Sequence, residues 1–596
     1  MRAAESSPAV VVALGVTVAL SATSLSLTGL LGRLTTASII ACLLASLAGG
    51  ALFPRLLGAR PLSGLGWTWL PMAALLLPSA AAALLLPPYT WDEVAYGAAL
   101  PRDFAYARHF FYNGNYGPYS AFPANYEALV TAGLMLSGDV WPAQLLNVAL
   151  ALAMAATAMR MALALGASRP ASFVAGLLVV CAPSVIQMAP ITKNDVACAF
   201  FQVLALLMLA IPLERALTWT LVLSGAFLGV SLGVKYSSLH FALAFLPVAT
   251  VVISRSASTR GDALRRVLLW LAACVVFGSP WYVRNLLLFS NPLFPFLNDL
   301  LQANNGFTPE HSALLRESFD GLAEYSFKTG TTAVFLTRVF GGFGALPTLF
   351  LPAGVWLALR QARSPAALLI GGTTVLHALL TFFAGYWQAR YVLSLLVLAC
   401  AMAAVVLERL GHVTEKLGLA RIRPTRLLLA AAVALAAWQA YPSLQRQLQD
   451  VRAVRQVGPL AFAAERAPYY AVADWLNTHL TERDRVAIGF NVQPFYYLRR
   501  PYFHIHPLTE GDLQFAETPG EVEASLLRVG ATYLAFSGSD GTYYEATAPK
   551  TTAYRERLWM AQRRLRQAGR LRLVATVQGV RILKLEDVRE RKDEPR

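Results

Sequence analysis

The sequence predicts an α-helical protein that crosses a membrane many times and carries an α/β domain at its C-terminus. Hydrophobic residues make up 56% of the 596 residues and charged residues only 14%, whereas soluble domains carry about 25% charged residues. Apolar runs of roughly 20 residues, enough to cross a bilayer core of about 30 Å, recur between Val10 and Ala440. From Tyr441 onward the composition becomes polar. We therefore divide the chain into a membrane domain, 1–440, and a soluble domain, 441–596.

The apolar runs predict about thirteen transmembrane helices. The N-terminal run, Pro8 to Leu31, is longer than the apolar segment of a typical signal peptide, so we expect it to be retained as the first span. The predicted spans are residues 9–30, 36–53, 68–87, 141–165, 171–189, 195–213, 217–234, 237–254, 266–283, 340–360, 365–384, 391–408 and 426–440.

The loop charges predict the orientation of the chain. If the N-terminus is cytoplasmic, the cytoplasmic loops collect most of the basic residues, as membrane proteins generally do. An odd number of spans then places the soluble domain outside, on the same side as two long loops at about 88–140 and 284–339. We expect a multi-pass protein of the plasma (inner) membrane. The basic residues concerned are Arg55, Arg60, Arg160, Arg169, Arg215, Arg255, Arg260, Arg265, Arg266, Arg360, Arg363, Arg409, Lys416, Arg421, Arg423 and Arg426.

The net charge of +16 has the same origin. In a soluble protein this charge would suggest a nucleic-acid partner, but here we predict membrane lipids and no nucleic acid. All five cysteines lie in apolar segments without metal-binding spacing, so we predict neither disulfides nor a cysteine metal site.

The soluble domain has the pattern of alternating helices and strands. Helical spacing of apolar residues covers Pro468–Leu480 and Val522–Val529. The charged run Arg589–Arg596 predicts a disordered tail. Short strands are predicted at Arg485–Phe490, Thr532–Ser537, Arg572–Thr576 and Val580–Leu585.

Three acidic residues stand where outside loops meet apolar spans. Asp92 and Glu93 follow the third span directly, which suits a general base or an anchor for an acceptor hydroxyl. The alternative is a solvated pair at a helix start, where acids are favoured by the helix dipole. Asp195 opens another span, and an acid at membrane depth indicates function, unless it is only a helix-start acid paired with Lys193.

Basic and aromatic residues lie at the same predicted interface. Lys235 and Arg390 each sit at the outer end of a span, where a fixed cation suits a phosphate group. The alternative is that both extend toward lipid headgroups. Arg284 and Asn285 close another span and are further candidates. The loop Asn113–Val130 is rich in Tyr, Asn and Gly, which suits a sugar or a headgroup but is also ordinary at membrane interfaces.

The order of these motifs resembles the GT-C superfamily of membrane glycosyltransferases. It is most similar to the bacterial branch that resembles protein O-mannosyltransferases and the aminoarabinose transferase of lipid A. The resemblance covers about 90–400. Its motifs are Asp92-Glu93, Phe122-Pro123-Ala124-Asn125-Tyr126-Glu127, Asn194-Asp195, Gly233-Val234-Lys235-Tyr236, Ser279-Pro280-Trp281-Tyr282-Val283-Arg284-Asn285 with Asn291-Pro292, and Gln388-Ala389-Arg390-Tyr391.

The resemblance implies transfer of a sugar from a polyprenyl-phosphate donor to an acceptor hydroxyl at the outer face, with inversion at the anomeric carbon. Asp92 matches the position of the family's catalytic acid, although the choice between Asp92 and Glu93 stays open. We expect Asp92 to act as the base while Glu93 and Asp195 orient the acceptor, which is a lipid, a glycan or a protein. The predicted substrate-binding residues are Lys193, Lys235, Tyr236, Arg284, Asn285, Arg390, Tyr391 and Glu127.

We predict no cofactor. A divalent ion held by Asp92, Glu93 and Asp195 is an alternative with suitable hard oxygen ligands, but no spacing rule favours it. The competing class is a transporter or flippase of a lipid-linked glycan, which also needs many spans and buried charges. A third alternative is a non-catalytic assembly protein that binds such a glycan. The long outside loops and outside domain exceed what a permeation path requires, and they favour the enzyme.

Overall fold

A computed structural model describes the chain over residues 7–56, 69–210, 217–301, 308–315, 336–384, 388–417, 424–489, 492–505, 516–537 and 549–586. Several predicted features lie outside these residues. They are Arg60, Arg215, Arg421, Arg423, Phe490, the stretches 302–307 and 316–335 of the second long loop, and the tail Arg589–Arg596.

The membrane part is built from helices, as predicted. In chain order they are α1 (Ser7–Leu30), α2 (Thr36–Leu56), α3 (Trp69–Leu75), α4 (Leu77–Leu85), α5 (Ala99–Ala107), α6 (Asn125–Ser137), α7 (Trp141–Ala164), α8 (Arg169–Val180), α9 (Pro183–Met188), α10 (Asp195–Ala210), α11 (Leu217–Val234), α12 (Ser238–Arg255), α13 (Arg260–Phe289), α14 (Asn298–Leu301), α15 (Ala345–Arg360), α16 (Pro365–Ala384), α17 (Leu393–Lys416) and α18 (Pro424–Val457).

The multi-pass helical fold is confirmed, although the number of thirteen spans is not. Among the described residues, eight helices are long and apolar enough to cross a membrane: α1, α7, α11, α12, α13, α16, α17 and α18. Shorter apolar helices occupy four further predicted spans: α2, α8, α10 and α15.

Two predicted spans are each broken into two helices. The span at 68–87 is divided between α3 and α4, and the span at 171–189 between α8 and α9. Pro78 lies in the first turn of α4 and Pro183 opens α9. A proline has no N–H to bond to the preceding turn and its ring clashes there, so each helix restarts at the proline.

Close packing between α11 and α13 relies on glycine. A Cβ atom on Gly229 would lie 2.2 Å from the Cys274 carbonyl oxygen, so only glycine permits this approach, as is common between membrane helices. Helix α17 lies at the centre, packed against α7, α8, α15 and α18 and buried along most of its length. It therefore supplies a rigid support for the residues at its N-terminal end.

The C-terminal region combines helices with a five-stranded sheet ordered β2-β1-β3-β5-β4. The strands β1, β2 and β3 are parallel, whereas β5 runs antiparallel to both β3 and β4. The predicted α/β class is confirmed. The elements are α19 (Pro459–Arg466), α20 (Tyr470–His479), β1 (Val486–Gly489), β2 (Tyr502–Ile505), α21 (Pro519–Arg528), β3 (Tyr533–Ser537), α22 (Pro549–Gln567), β4 (Leu571–Val577) and β5 (Val580–Leu585).

The sheet packs directly against the first long loop, at about 88–140. Phe104 and Tyr116 of that loop share one buried apolar cluster with Ile488 and Phe495 of the C-terminal region. The Arg102 guanidinium donates to the Tyr496 carbonyl at 2.6 Å. The C-terminal region is thus fixed to the loop that begins at the predicted acidic pair.

Candidate functional site

The loop after α4 carries the acidic pair into a single π-helical turn, Glu93–Gly97. Such turns are uncommon and frequently occur at functional sites. A Cβ atom on Gly97 would lie 2.9 Å from the Thr192 carbonyl oxygen. This close approach brings the segment before α10, with Lys193, against Asp92.

Asp92 lies at the centre of a cluster of charges drawn from distant parts of the chain. Its Oδ2 atom is 2.7 Å from the Lys193 ammonium and 2.5 Å from the Arg390 guanidinium. Its Oδ1 atom accepts a hydrogen bond from the Tyr96 hydroxyl at 2.9 Å. The carboxylate is 18% exposed, so it can be reached from outside.

The Arg390 guanidinium is held in place by a short turn, Ala389–Val392, that leads into α17. Its Nε donates to the Gln388 side chain at 2.8 Å, and one terminal nitrogen donates to the Tyr391 hydroxyl at 3.0 Å. The other terminal nitrogen meets Asp92. Because three contacts fix the plane of the group, it is positioned before any ligand arrives.

A second ion pair lies beside the first. The Lys235 ammonium is 2.6 Å from Asp195 Oδ1 and lies over the Tyr391 ring, 4.3 Å from its centroid. Asp195 Oδ2 is buried with no hydrogen-bond partner among the described residues. Three cations, Lys193, Arg390 and Lys235, therefore pair with two carboxylates, Asp92 and Asp195.

The ionisation of the cluster follows from burial and charge. Burial alone would raise the pKa of Asp92, but the neighbouring Lys193 and Arg390 cations outweigh it and hold that pKa well below its usual range. Burial lowers the pKa of Lys193 to about 8, against the opposing attraction of Asp92. Asp92 is thus an anion near neutral pH, whereas Lys193 loses its proton under mildly alkaline conditions.

Glu93 points away from this cluster and is fully buried. Its Oε1 atom accepts from the Thr192 backbone N–H at 2.9 Å and from the Thr192 hydroxyl at 3.0 Å. Its Oε2 atom accepts from the Thr90 hydroxyl at 2.9 Å. Of the two adjacent acids, Asp92 therefore has the carboxylate that is partly exposed to solvent, and the Glu93 carboxylate is buried.

Glu127 lies on α6 beneath the same cations. Its Oε1 atom accepts from the Asn194 amide at 2.9 Å, while Oε2 is buried with no partner among the described residues. Burial raises the pKa of Glu127 to about 7, although Lys235 and Lys193 act in the opposite direction. The predicted residue thus joins the cluster through the segment that also carries Lys193.

Tyr236, Arg284 and Asn285 form a separate group. The Asn285 amide donates to the Tyr236 hydroxyl at 3.0 Å and to the Ala121 carbonyl at 2.8 Å. The Arg284 guanidinium donates to the Asn285 side chain at 2.8 Å. These contacts join the three residues to Ala121 and not to Asp92. The eleven predicted residues therefore fall into two neighbouring groups.

Two positioning residues, Asn147 and Tyr96, were not identified in the sequence analysis. The Asn147 amide donates to the Ile191 and Lys193 carbonyls at 2.8 and 2.7 Å, which fixes the segment bearing Lys193. Lys193 also donates to the Tyr96 hydroxyl at 2.8 Å. A signal for Asn147 was available, because an amide inside an apolar span needs a partner.

Two cavities flank the cluster. One of about 510 Å³ has Arg390 on its wall, together with Arg338, Ser184 and Gln187. A second of about 720 Å³ has Trp91 on its wall and is otherwise lined by the C-terminal region. The first cavity therefore gives access to Arg390, and the second borders Trp91, which directly precedes Asp92 in the sequence.

The divalent-ion alternative gains no support from this geometry. Among the residues that the structure describes, no group of three or more His, Cys, Asp or Glu side chains converges as metal ligands would. Asp92 and Asp195 are each paired with cations, and both Glu93 oxygens accept hydrogen bonds.

The fold and this site define a polytopic, helical membrane protein that carries a cluster of paired charges, and comparison with solved structures finds proteins that share its fold. The structure is similar to ArnT from Cupriavidus metallidurans bound to undecaprenyl phosphate, with a TM-score of 0.54 and 18% identity over 87% of this chain and 98% of that one. The apo structure of the same protein gives equal values over 86% and 97%. The Archaeoglobus fulgidus oligosaccharyltransferase is similar over 79% of this chain and 69% of that one, with a TM-score of 0.45 and 12% identity. No family model and no curated protein matches the sequence.

Proposed function

We propose that this protein is a membrane glycosyltransferase that moves a sugar from a polyprenyl-phosphate donor to an acceptor hydroxyl at the outer face of the membrane. The observation that carries the proposal is the Asp92 carboxylate held by two cations, Lys193 and Arg390, beside a third cation, Lys235. A carboxylate is the group needed to take a proton, and fixed cations are the groups needed to stabilise a departing phosphate.

The donor phosphate is proposed to bind against Arg390. This side chain lies on the wall of the cavity of about 510 Å³, which Arg338 also lines. Guanidinium groups bind phosphate oxygens bidentately. The likeness in fold to ArnT, whose structure was determined with undecaprenyl phosphate, supports a lipid phosphate as the ligand.

The proposed reaction is a single displacement. The acceptor oxygen attacks the anomeric carbon, and the bond from that carbon to the phosphate oxygen breaks, so its electron pair leaves with polyprenyl phosphate. The acceptor proton passes to Asp92. Attack opposite the leaving group inverts the anomeric carbon. Arg390 and Lys193, with Lys235 nearby, stabilise the charge that builds on the phosphate oxygen.

Donor binding would also prepare the base. In the free protein the cations hold the pKa of Asp92 low, which makes the carboxylate a weak base. A bound phosphate competes for Lys193 and Arg390 and brings negative charge close to Asp92. Both effects raise the pKa of Asp92. The carboxylate thus becomes more basic when the sugar to be transferred is in place.

The remaining predicted residues receive supporting roles in this proposal. Glu93 braces the loop that presents Asp92, through its bonds to Thr90 and Thr192. Asp195 and Tyr391 hold Lys235. The second group contacts the bound substrates along the outside loop. Its members are Tyr236, Arg284 and Asn285, whereas Glu127 holds the segment that carries Lys193 through its bond to Asn194.

A transfer assay tests the proposal. Purified protein in lipid is given radiolabelled polyprenyl-phosphate sugars, with membrane extract as the acceptor source, and wild type is compared with Asp92→Asn. We expect label to move in wild type and the variant to be slower by about a hundredfold or more, the typical contribution of a general base. Equal rates for both proteins would refute Asp92 as the base. No transfer by folded wild type from any donor would refute the proposed activity.

A further inference from the structure

The cavity beside Trp91 lies between the membrane part and the C-terminal region. It measures about 720 Å³, and its walls include Glu465, Arg466, Tyr469 and Gln578. Trp91 is 39% exposed, whereas Trp side chains are highly buried on average. The exposed ring is the one large apolar surface that Asp92's own loop offers to this cavity.

This cavity adjoins the loop that carries the reacting carboxylate, because Trp91 on its wall directly precedes Asp92 in the sequence. The Trp91 ring meets the Tyr96 ring edge-on with centroids 6.3 Å apart, and the Tyr96 hydroxyl donates to Asp92 Oδ1. Trp91 is therefore linked through Tyr96 to Oδ1 of Asp92, whereas Arg390, on the wall of the other cavity, is bonded to Oδ2.

The C-terminal region, which supplies the rest of the cavity lining, is hydrogen-bonded to the loop on both sides of Trp91. The Tyr496 backbone N–H donates to the Val94 carbonyl at 2.9 Å. The Tyr497 hydroxyl donates to the Pro88 carbonyl at 2.6 Å. Since Pro88 and Val94 bracket Trp91 in the sequence, the cavity has a fixed shape rather than one set by chance contact.

The chemistry of the lining fits a sugar ring. A flat exposed indole can cover the C–H face of a pyranose. Planar side chains with several donors and acceptors, such as Glu465, Arg466 and Gln578, match its rim of hydroxyls. The Glu465–Arg466 pair is exposed, at 3.3 Å, and surface pairs of this kind are weak enough to exchange partners. We propose, on the basis of the proposed function, that this cavity binds the acceptor and that the acceptor is a saccharide.

Acceptor kinetics test this assignment. The probes are p-nitrophenyl glycosides of glucose, galactose, mannose and N-acetylglucosamine, with a Ser/Thr peptide as the non-saccharide probe, and the donor is whichever polyprenyl-phosphate sugar is turned over. We expect transfer to a glycoside, and Trp91→Ala to raise the acceptor KM by about tenfold or more while the donor KM stays unchanged. Trp91→Phe, which keeps a ring, should restore most of the affinity. Trp438→Ala removes a 72% exposed ring on α18, outside this lining, and should leave both KM values unchanged.

Hydrolysis of the donor by water separates the outcomes. If Trp91→Ala hydrolyses the donor at the wild-type rate, the variant is folded and its KM values are meaningful. Donor turnover with transfer only to the peptide, with transfer to no glycoside, or with an unchanged acceptor KM in Trp91→Ala would overturn the saccharide assignment. Failure of wild type to consume any donor would instead refute the proposed function on which the assignment rests.

Discussion

The replacement Glu93→Gln separates the roles of the two adjacent acids. Gln has the same shape as Glu, but one of its terminal atoms is an NH₂ donor instead of an acceptor oxygen. Thr192 offers two donors to Oε1, at 2.9 and 3.0 Å, and the Thr90 hydroxyl offers one to Oε2 at 2.9 Å. Whichever way the amide turns, its NH₂ faces a backbone N–H that can only donate, either that of Thr192 or that of Thr90, which lies 3.3 Å from Oε2, in a fully buried site.

The size of the effect follows from these bonds. A hydrogen bond to a charged group contributes about 1.5 to 3 kcal/mol, so the loss of one accepting oxygen should destabilise the folded protein by roughly 3 kcal/mol. The rate of transfer per folded molecule should fall much less than in Asp92→Asn, because the buried Glu93 carboxylate is not accessible to a substrate.

Thermal unfolding of the protein in lipid nanodiscs, followed by transfer rates at low temperature, measures both quantities. We expect a lower unfolding temperature for Glu93→Gln and a rate within about tenfold of wild type, well short of the loss expected for a general base. An unchanged unfolding temperature with a hundredfold loss of rate would refute the argument and make Glu93 the base.

Three further predictions concern the cations and their support. Arg390→Ala should reduce kcat/KM for the donor by about a hundredfold, or roughly 3 kcal/mol, with Arg390→Lys intermediate; normal activity would remove Arg390 from the phosphate site. Because Lys193 loses its proton at a pKa of about 8, kcat/KM for the phosphodiester donor should fall as pH rises through that value. Lys193→Arg keeps its charge and should remove this fall at alkaline pH. A pH profile that Lys193→Arg does not alter would contradict the assignment. Asn147→Ala leaves the Ile191 and Lys193 carbonyls unpaired, and each unpaired group should destabilise the folded protein by about 1 to 3 kcal/mol. The variant should therefore have a lower unfolding temperature and a lower transfer rate. Wild-type values in both assays would show that Asn147 does not position the segment that carries Lys193.

The charged residues of the site could be predicted because charge at the end of an apolar span is costly and therefore conspicuous. Their pairing could not be predicted. Asp92 and Arg390 are 298 positions apart, and no local pattern brings them together. The contrast between Asp92 and Glu93 also required the structure, since it depends on which carboxylate the loop turns inward.

The fold was predictable where local rules dominate. The strands β1, β3, β4 and β5 and the helices α20 and α21 lie where the apolar pattern predicted them. Strand β2 was missed because Tyr502–Ile505 is short and follows Pro501, and the pattern alone does not reveal that it pairs with β1. Helix α18 has 34 residues and continues past residue 441, because a helix can extend beyond the apolar part of its sequence.

The fate of the donor lipid tests the central claim most directly. Purified protein is reconstituted with one polyprenyl-phosphate sugar and an accepting extract, and the lipids are analysed by mass spectrometry over time. The account predicts that one polyprenyl phosphate is released for every sugar transferred, and that Asp92→Asn slows both processes equally. Intact donor that only changes leaflet, with no free polyprenyl phosphate, would contradict the account and identify a transporter.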